Sequence, residues 1–416
     1  MLNRSLAPKI QKVSRVNFQH VDQEQLTNGS TISSIIAGDQ PVVKLEVVFK
    51  AAGNRFENLK GQASMAVRML KEGTTSYTSV QITSLFSRLG AYIEINPGFD
   101  NASISIYCLD KHFEQISSIF FEMIDHPSFD ENELKLQKEL QTAQLQVQNK
   151  KNNILASKSI RQAIFGADHP YGRINSEQDI KAFTPEGLRS FWGHSKNNFE
   201  VLVSGRPSEN TLKVIRDFFS AKNLTQHKGK SILVPSLPFE TPSNESVQAS
   251  IRLGKKTLLK EDPDYLPLLI TNHLLGGFFG SRLMKNIRED KGLTYGISSG
   301  LVPLQESAYW VIGAEVNTDN VDLALKEIHY EIERLTEFND AEELETAKTH
   351  MVGSFQAELN SPFAVMDRFK SIHLHDLDYS YYDRLFDTIA SFRPSDLRNI
   401  TTKYLTTDDL EQVVIN

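Results

Sequence analysis

The run Ile180-Lys-Ala-Phe-Thr-Pro-Glu-Gly-Leu-Arg189 returns 209 residues later as Ile389-Ala-Ser-Phe-Arg-Pro-Ser-Asp-Leu-Arg398. Identities fall in register at Ile180/Ile389, Phe183/Phe392, Pro185/Pro394, Leu188/Leu397 and Arg189/Arg398. Proline is favoured at the first turn of a helix, where its missing N–H costs nothing, so each copy predicts a helix opening at its Pro. An apolar strand follows each: FEVLVSG from Phe199 and EQVVIN from Glu411. Earlier in each half a second match has the same order of elements. Residues 102–108 alternate as a strand and lead into a helix with Phe113, Ile116, Phe120 and Met123 on one face. Residues 308–316 do the same before a helix with Leu325, Ile328, Ile332 and Leu335. Duplication of one α/β unit accounts for both matches.

The duplication sets the expected organisation: residues 1–220, a linker at 221–245 and residues 246–416. The linker holds three prolines and little helical pattern. Alternating strands, with Leu45, Val47 and Phe49 a further example, predict an α+β fold. Each half is expected to be a sandwich, a mostly antiparallel sheet with helices on one face.

Composition narrows the function classes. With 416 residues, 40% hydrophobic and 23% charged, the chain has the make-up of a globular protein large enough for more than one core. A net charge of −7 argues against nucleic acid as the main partner. No apolar run approaches the length of a membrane span, so no membrane partner is expected. The N-terminal MLNRSLAPKIQKVSRVNFQH is basic but has neither the apolar core of a signal peptide nor a continuing Arg-rich amphipathic helix. The single cysteine, Cys108, sits on the apolar side of its strand and is expected to be buried rather than reactive. The expected compartment is the cytoplasm, or the periplasm if a signal segment has been removed.

Residues Gly61 to Thr74 read GQASMAVRMLKEGT. This stretch resembles the motif helix of the insulinase and mitochondrial-processing-peptidase family of zinc peptidases, G-x-A-H-x-x-E-H-M followed by G-T. There, two His one turn apart ligate zinc and the Glu is the general base. The matching positions here are Ser64, Val67 and Arg68. A hydroxyl is a poor substitute for imidazole, valine moves no proton, and arginine is a fixed cation without a lone pair to offer. The spacing of the family's third ligand, a Glu, lands on Gln144, and that of a further family Glu on Gln137. The resemblance therefore implies a relative with no metal and no cofactor of its own, folded as two homologous halves of a clamshell. It extends from about Pro41 to the C-terminus through LGAYIEINPGFDNASISI and the HPYG at His169.

The second half carries GSRLMKNIREDKGLTYG from Gly280, close to the family segment G-S-R-L-x-x-x-L-R-E-x-x-G-L-x-Y. In the family, the second Arg and the Tyr hold substrate main chain and stabilise the oxyanion across the clamshell. The resemblance assigns those roles to Arg288 and Tyr295, both hydrogen-bond donors suited to developing negative charge. The plainer reading pairs Arg288 with Glu289 or another acid and packs Tyr295 in a strand. The preceding LLGGFFG lacks the Gly-Lys-Ser/Thr ending of a phosphate loop and is expected to be a helix-end loop. His373, His375 and Asp376 have no identifiable partner ligand and are expected to be packed or solvated. Ser64 has no His or Asp at useful spacing to make it a nucleophile.

Some bacterial members of the family work as unlike pairs, one subunit with His-x-x-Glu-His and zinc, the other with only the Arg and Tyr. The resemblance implies the second type. The expected function is the non-metal subunit of a heterodimeric zinc peptidase, with the zinc in the partner and a peptide as substrate. A non-catalytic scaffold or a peptide-binding protein of the same fold is the alternative.

Overall fold

The computed structural model describes Val16 and residues 18–225 and 246–416, so most of the expected linker lies outside the described residues. The strands of the first half are β1 (Asp22–Gln25), β2 (Thr31–Ile36), β3 (Val42–Phe49), β4 (Tyr92–Pro97), β5 (Ala102–Leu109) and β6 (Phe199–Gly205). They form a sheet in the order β1-β2-β6-β3-β5-β4, antiparallel except for the β2–β6 pair. Those of the second half are β7 (Gln248–Thr257), β8 (Thr294–Pro303), β9 (Ala308–Asn317) and β10 (Glu411–Ile415), in the antiparallel order β10-β7-β9-β8. The fold is α+β. The second sheet repeats the β6-β3-β5-β4 part of the first, as a duplication requires.

The repeated segments adopt the same local structure. Pro185 opens the helix Pro185–Ser195 that precedes β6, and Pro394 opens the helix Pro394–Tyr404 that precedes β10. Their caps differ. The Thr184 hydroxyl accepts from the Gly187 N–H at 3.1 Å, whereas Arg393 relies on its own N–H donating to the Asp396 carboxylate at 2.9 Å. The helices Phe113–Asp125 and Val321–Arg334 follow β5 and β9 and turn their predicted apolar faces inward. Two buried tryptophans anchor the cores: the Trp192 indole donates to the Ile124 carbonyl, and that of Trp310 to Asn272 and Ser299.

Each sheet also has a cover that the duplication alone does not predict. The helix Asn152–Phe165, from the first half, lies over β7 and β10, where Ile160 and Ile164 cluster with Val413 and Ile415. Its counterpart Pro362–His373, from the second half, lies over β2 and β6, where Met366 and Phe369 cluster with Ile35 and Leu202. The halves thus exchange helices, and each becomes part of the other's packing.

The exchange explains why β3 is buried on both faces although its sequence alternates. Lys44 and Glu46 look like solvent-facing positions. Beneath the exchanged helix they are 4% and 1% exposed, and Lys44 lies 3.2 Å from Glu46 and 3.3 Å from Asp367. Lys370 completes the cluster at 2.8 Å from Glu46. Burying charge is tolerated only with such pairing.

A second buried hub joins the halves at Asp100, within the GFDN turn after β4. It accepts from the Tyr171 hydroxyl and the Gln305 N–H, and lies 3.3 Å from Arg55. Gln305 sits in the turn between β8 and β9, so the hub fixes one end of β8 to the first half.

Candidate functional site

The helix Gln62–Met69 starts at Gly61, whose φ of 81° is the left-handed conformation that glycine adopts freely. The Glu57 carboxylate caps it, accepting from the N–H groups of Gly61 and Ala63 at 3.0 and 3.1 Å. Ser64 and Arg68, one turn apart, share a face, and the Arg68 guanidinium donates to the Ser64 hydroxyl at 3.3 Å. Val67 turns the other way and is fully buried in the first core. Gln144 is exposed on the helix Glu131–Gln148, and Gln137 is half-buried.

The residue of that helix that meets the motif helix is Gln141, whose side-chain amide lies 3.5 Å from the Met65 sulfur. Sequence reasoning missed it, because a fixed family spacing pointed to its neighbours. The donor set of this face is thus a hydroxyl, a guanidinium and amides, which offers a cation no anionic or imidazole ligand. Among the described residues no cluster of His, Cys, Asp or Glu has the make-up to hold a metal ion.

The second half places its two candidate residues together. Helix Tyr265–Gly276 ends in the glycine-rich run, and the following helical segment passes into π-helical turns over Met284–Asp290. Such turns are rare and cluster at functional sites. Asn286 and Lys291 brace this segment through Glu327, each with a bond near 3 Å, and Asn286 also donates to Glu331. Arg288 projects from the braced segment with its guanidinium 4.5 Å from the centre of the Phe279 ring. Four residues beyond Lys291, Tyr295 opens β8 with 93% of its surface exposed.

Both residues line one open cleft of about 810 Å³, with Glu289, Leu293, Thr294 and Glu315 around them. Neither plainer alternative describes them. Arg288 forms no ion pair among the described residues, and Tyr295 is not packed. A guanidinium and a phenol facing the same open cleft can both donate to a carbonyl oxygen or to an oxyanion.

The remaining candidates are structural. Cys108 is buried and its thiol is pushed up to about 12 by burial, with Asp110 adding to the shift. His373 ends the exchanged helix, 2.6 Å from the Glu200 carboxylate. His375 is held down to about 4 by burial and then by Lys260, which leaves it a neutral packed ring at physiological pH.

Comparison with known proteins places the chain in a family. Residues 35–173 match the family description "Insulinase (Peptidase family M16)", and residues 182–351 match "Peptidase M16 inactive domain". The chain belongs to the insulinase family, peptidase family M16. Among its relatives is a Bacillus subtilis protein called an uncharacterized zinc protease, YmxG, 24% identical over 86% of this chain and 87% of its own. A Helicobacter pylori protein called a non-peptidase homolog YmxG is 24% identical over 76% of this chain and 75% of its own.

Two solved structures share the fold. One, titled a peptidase M16 inactive domain from Pseudomonas fluorescens, has a TM-score of 0.83 and 24% identity over 95% of this chain and 98% of its own. The other, titled a protease from Helicobacter pylori, has a TM-score of 0.86 and 18% identity over 96% of this chain and 100% of its own. Within the family, the chain carries Ser64, Val67 and Arg68 where the zinc-binding motif has its two His and its Glu. No helix among the described residues is long and apolar enough to cross a membrane.

Proposed function

We propose that this chain is the non-metal subunit of a two-subunit zinc peptidase. It presents Arg288 and Tyr295 to a peptide held in the site of a partner that carries His-x-x-Glu-His and zinc. The observation that carries this reading is their shared, open cleft, where Arg288 has no ion pair among the described residues and Tyr295 is almost wholly exposed. A phenol left in water by its own fold has its full donor capacity for a ligand or a partner's substrate. In this role the two side chains hold substrate main chain and meet the charge that develops on the carbonyl oxygen. The nucleophile and general base belong to the partner.

The test is turnover by the assembled pair. Loss of one oxyanion donor typically lowers turnover by about 10²- to 10³-fold. Arg288→Ala and Tyr295→Phe are each expected to do so while the pair keeps its zinc content and its subunit ratio. Unchanged turnover in both variants would leave a scaffold role, with the clamshell kept for assembly alone.

A further inference from the structure

Both candidate residues leave the chain at a break in regular structure. Arg288 belongs to the π-helical turns of Met284–Asp290, closed by the Lys291 N–H donating to the Asn286 carbonyl, five residues back, at 3.1 Å. A turn one residue wider than an α-turn changes the direction in which Arg288 leaves relative to Leu283 and Met284, which are buried in the second core. Tyr295 belongs to a β-bulge. Between the Thr294–Val316 and Ile297–Ala314 pairs, β8 has two residues, Tyr295 and Gly296, where β9 has Glu315 alone. A bulge re-aims the side chains it contains.

The first half shows that neither break is a consequence of the fold. There the helix Ser79–Arg88 leads through Gly90, with φ of 64°, into β4, as the π-helical segment leads through Gly292, with φ of 62°, into β8. The helix of the first half ends on an ordinary α-helical bond, from the Leu89 N–H to the Leu85 carbonyl at 3.1 Å. Its strand β4 pairs with β5 without a shift of register. Regular structure is thus available at this place in the fold, and the second half departs from it twice within twelve residues, from Met284 to Tyr295.

Two side chains hold these breaks. Asn286 is 8% exposed and its amide is fully used. The nitrogen donates to Glu327 at 3.1 Å and to Glu331 at 2.8 Å, and the oxygen accepts from the Lys291 ammonium at 2.8 Å. Lys291 therefore bonds Asn286 twice, by main chain and by side chain, across the same five-residue turn. An amide suits this position because it can donate to two carboxylates while accepting from an ammonium. Thr294 does the corresponding work in the bulge. Its hydroxyl donates to the Glu315 carbonyl at 2.6 Å and accepts from the Gly296 N–H at 3.1 Å, tying the bulged residues to the strand beside them. Both residues stand at positions that the family segment leaves unspecified.

We propose that Asn286 and Thr294 are positioning residues: Asn286 locks the π turn that aims Arg288 into the cleft, and Thr294 closes the bulge that aims Tyr295. The consequence for hydrolysis rests on the role proposed above for Arg288 and Tyr295.

The lock is tested on the full chain alone, by hydrogen exchange resolved to single amides. Asn286→Ala is expected to speed exchange at Lys291 by at least about 10-fold, and Thr294→Val to do the same at Gly296, as the loss of about one hydrogen bond implies. Valine keeps the shape and β-branching of threonine, so the strand itself is preserved. Amides of the helix Tyr265–Gly276 should be unchanged in both variants. Unaltered exchange at Lys291 and Gly296 would overturn the proposal. The consequence is read as turnover of the assembled pair in double-mutant cycles. Each variant is expected to lower turnover by about 10-fold or more, because small misplacements of catalytic groups are costly. Asn286→Ala should add nothing once Arg288 is replaced by Ala, and Thr294→Val nothing once Tyr295 is replaced by Phe. Losses that are the same in every background would mark a general structural role and would also overturn the proposal. If Arg288→Ala and Tyr295→Phe are themselves without effect, the peptidase reading falls, and hydrogen exchange by itself decides whether the two residues hold the breaks.

Discussion

The two halves are copies in topology and opposites in what they leave open. In the first, Ser64 and Arg68 close on each other, Val67 is in the core, and Tyr92, Glu94 and Tyr107 stand side by side on the outer face of the sheet. In the second, Tyr295 stands in solvent and glycines keep the matching face empty. Shared architecture therefore says little about which half does the work. The difference lies in side chains added to one copy and withheld from the other.

The comparison can be broken most severely at Asp100, the hub through which the first half holds the end of β8. Asp100→Ala removes the acceptor of Tyr171 and of the Gln305 N–H, and leaves buried Arg55 with the half-exposed Glu306 as its one carboxylate partner among the described residues, beside the Gln305 side-chain oxygen. Breaking a buried charged pair from one side typically costs about 3–5 kcal/mol, and that loss is expected in urea unfolding. A loss below about 1 kcal/mol would mean that the halves are held by the exchanged helices alone.

A smaller effect sharpens the comparison at its most alike point. Both repeats open a helix with proline, but only Thr184 caps with its side chain. Thr184→Ala is expected to cost about 1 kcal/mol. Arg393→Ala should stay within about 0.5 kcal/mol, because the bond it keeps comes from its backbone N–H. Equal losses would show that Arg393 supports its helix through contacts other than the cap.

Much of this fold was legible in the sequence, for reasons that the residues make plain. Pro185 and Pro394 mark helix starts, and the apolar faces at Phe113–Met123 and Leu325–Leu335 report period and burial. Period does not say whose sheet covers a helix, and so the exchange of Asn152–Phe165 for Pro362–His373 was invisible. The burial of Lys44 and Glu46 was invisible for the same cause, since a charged pair reads as surface until its cover is known. At the candidate site, Arg288 and Tyr295 were legible because their motif is dense. The open face over β8 was not, because its signal is the absence of side chains at Gly296, Gly300 and Gly313, and single glycines have many uses.

A last contrast sets two buried glutamates of the first half, whose pKa shifts have opposite signs, against each other. Burial pushes Glu57 up to about 7, outweighing the N–H groups of Gly61 and Ala63 and the more distant Arg173. Burial acts on Glu46 in the same direction, but Lys370 and then Lys44 overcome it and lower the carboxyl below its usual 4.5. A folded pKa raised above the unfolded one favours the protonated protein. The Glu57 contribution is therefore complete below about pH 4.5 and is lost as the pH rises through 7. That of Glu46 is present above its unfolded value and is lost only on further acidification. Between these limits the wild-type melting temperature should fall with rising pH relative to Glu57→Gln, which cannot titrate. Parallel melting curves across that window would mean that the N–H groups of the motif helix hold Glu57 ionised, and that its burial is fully offset by the cap it makes.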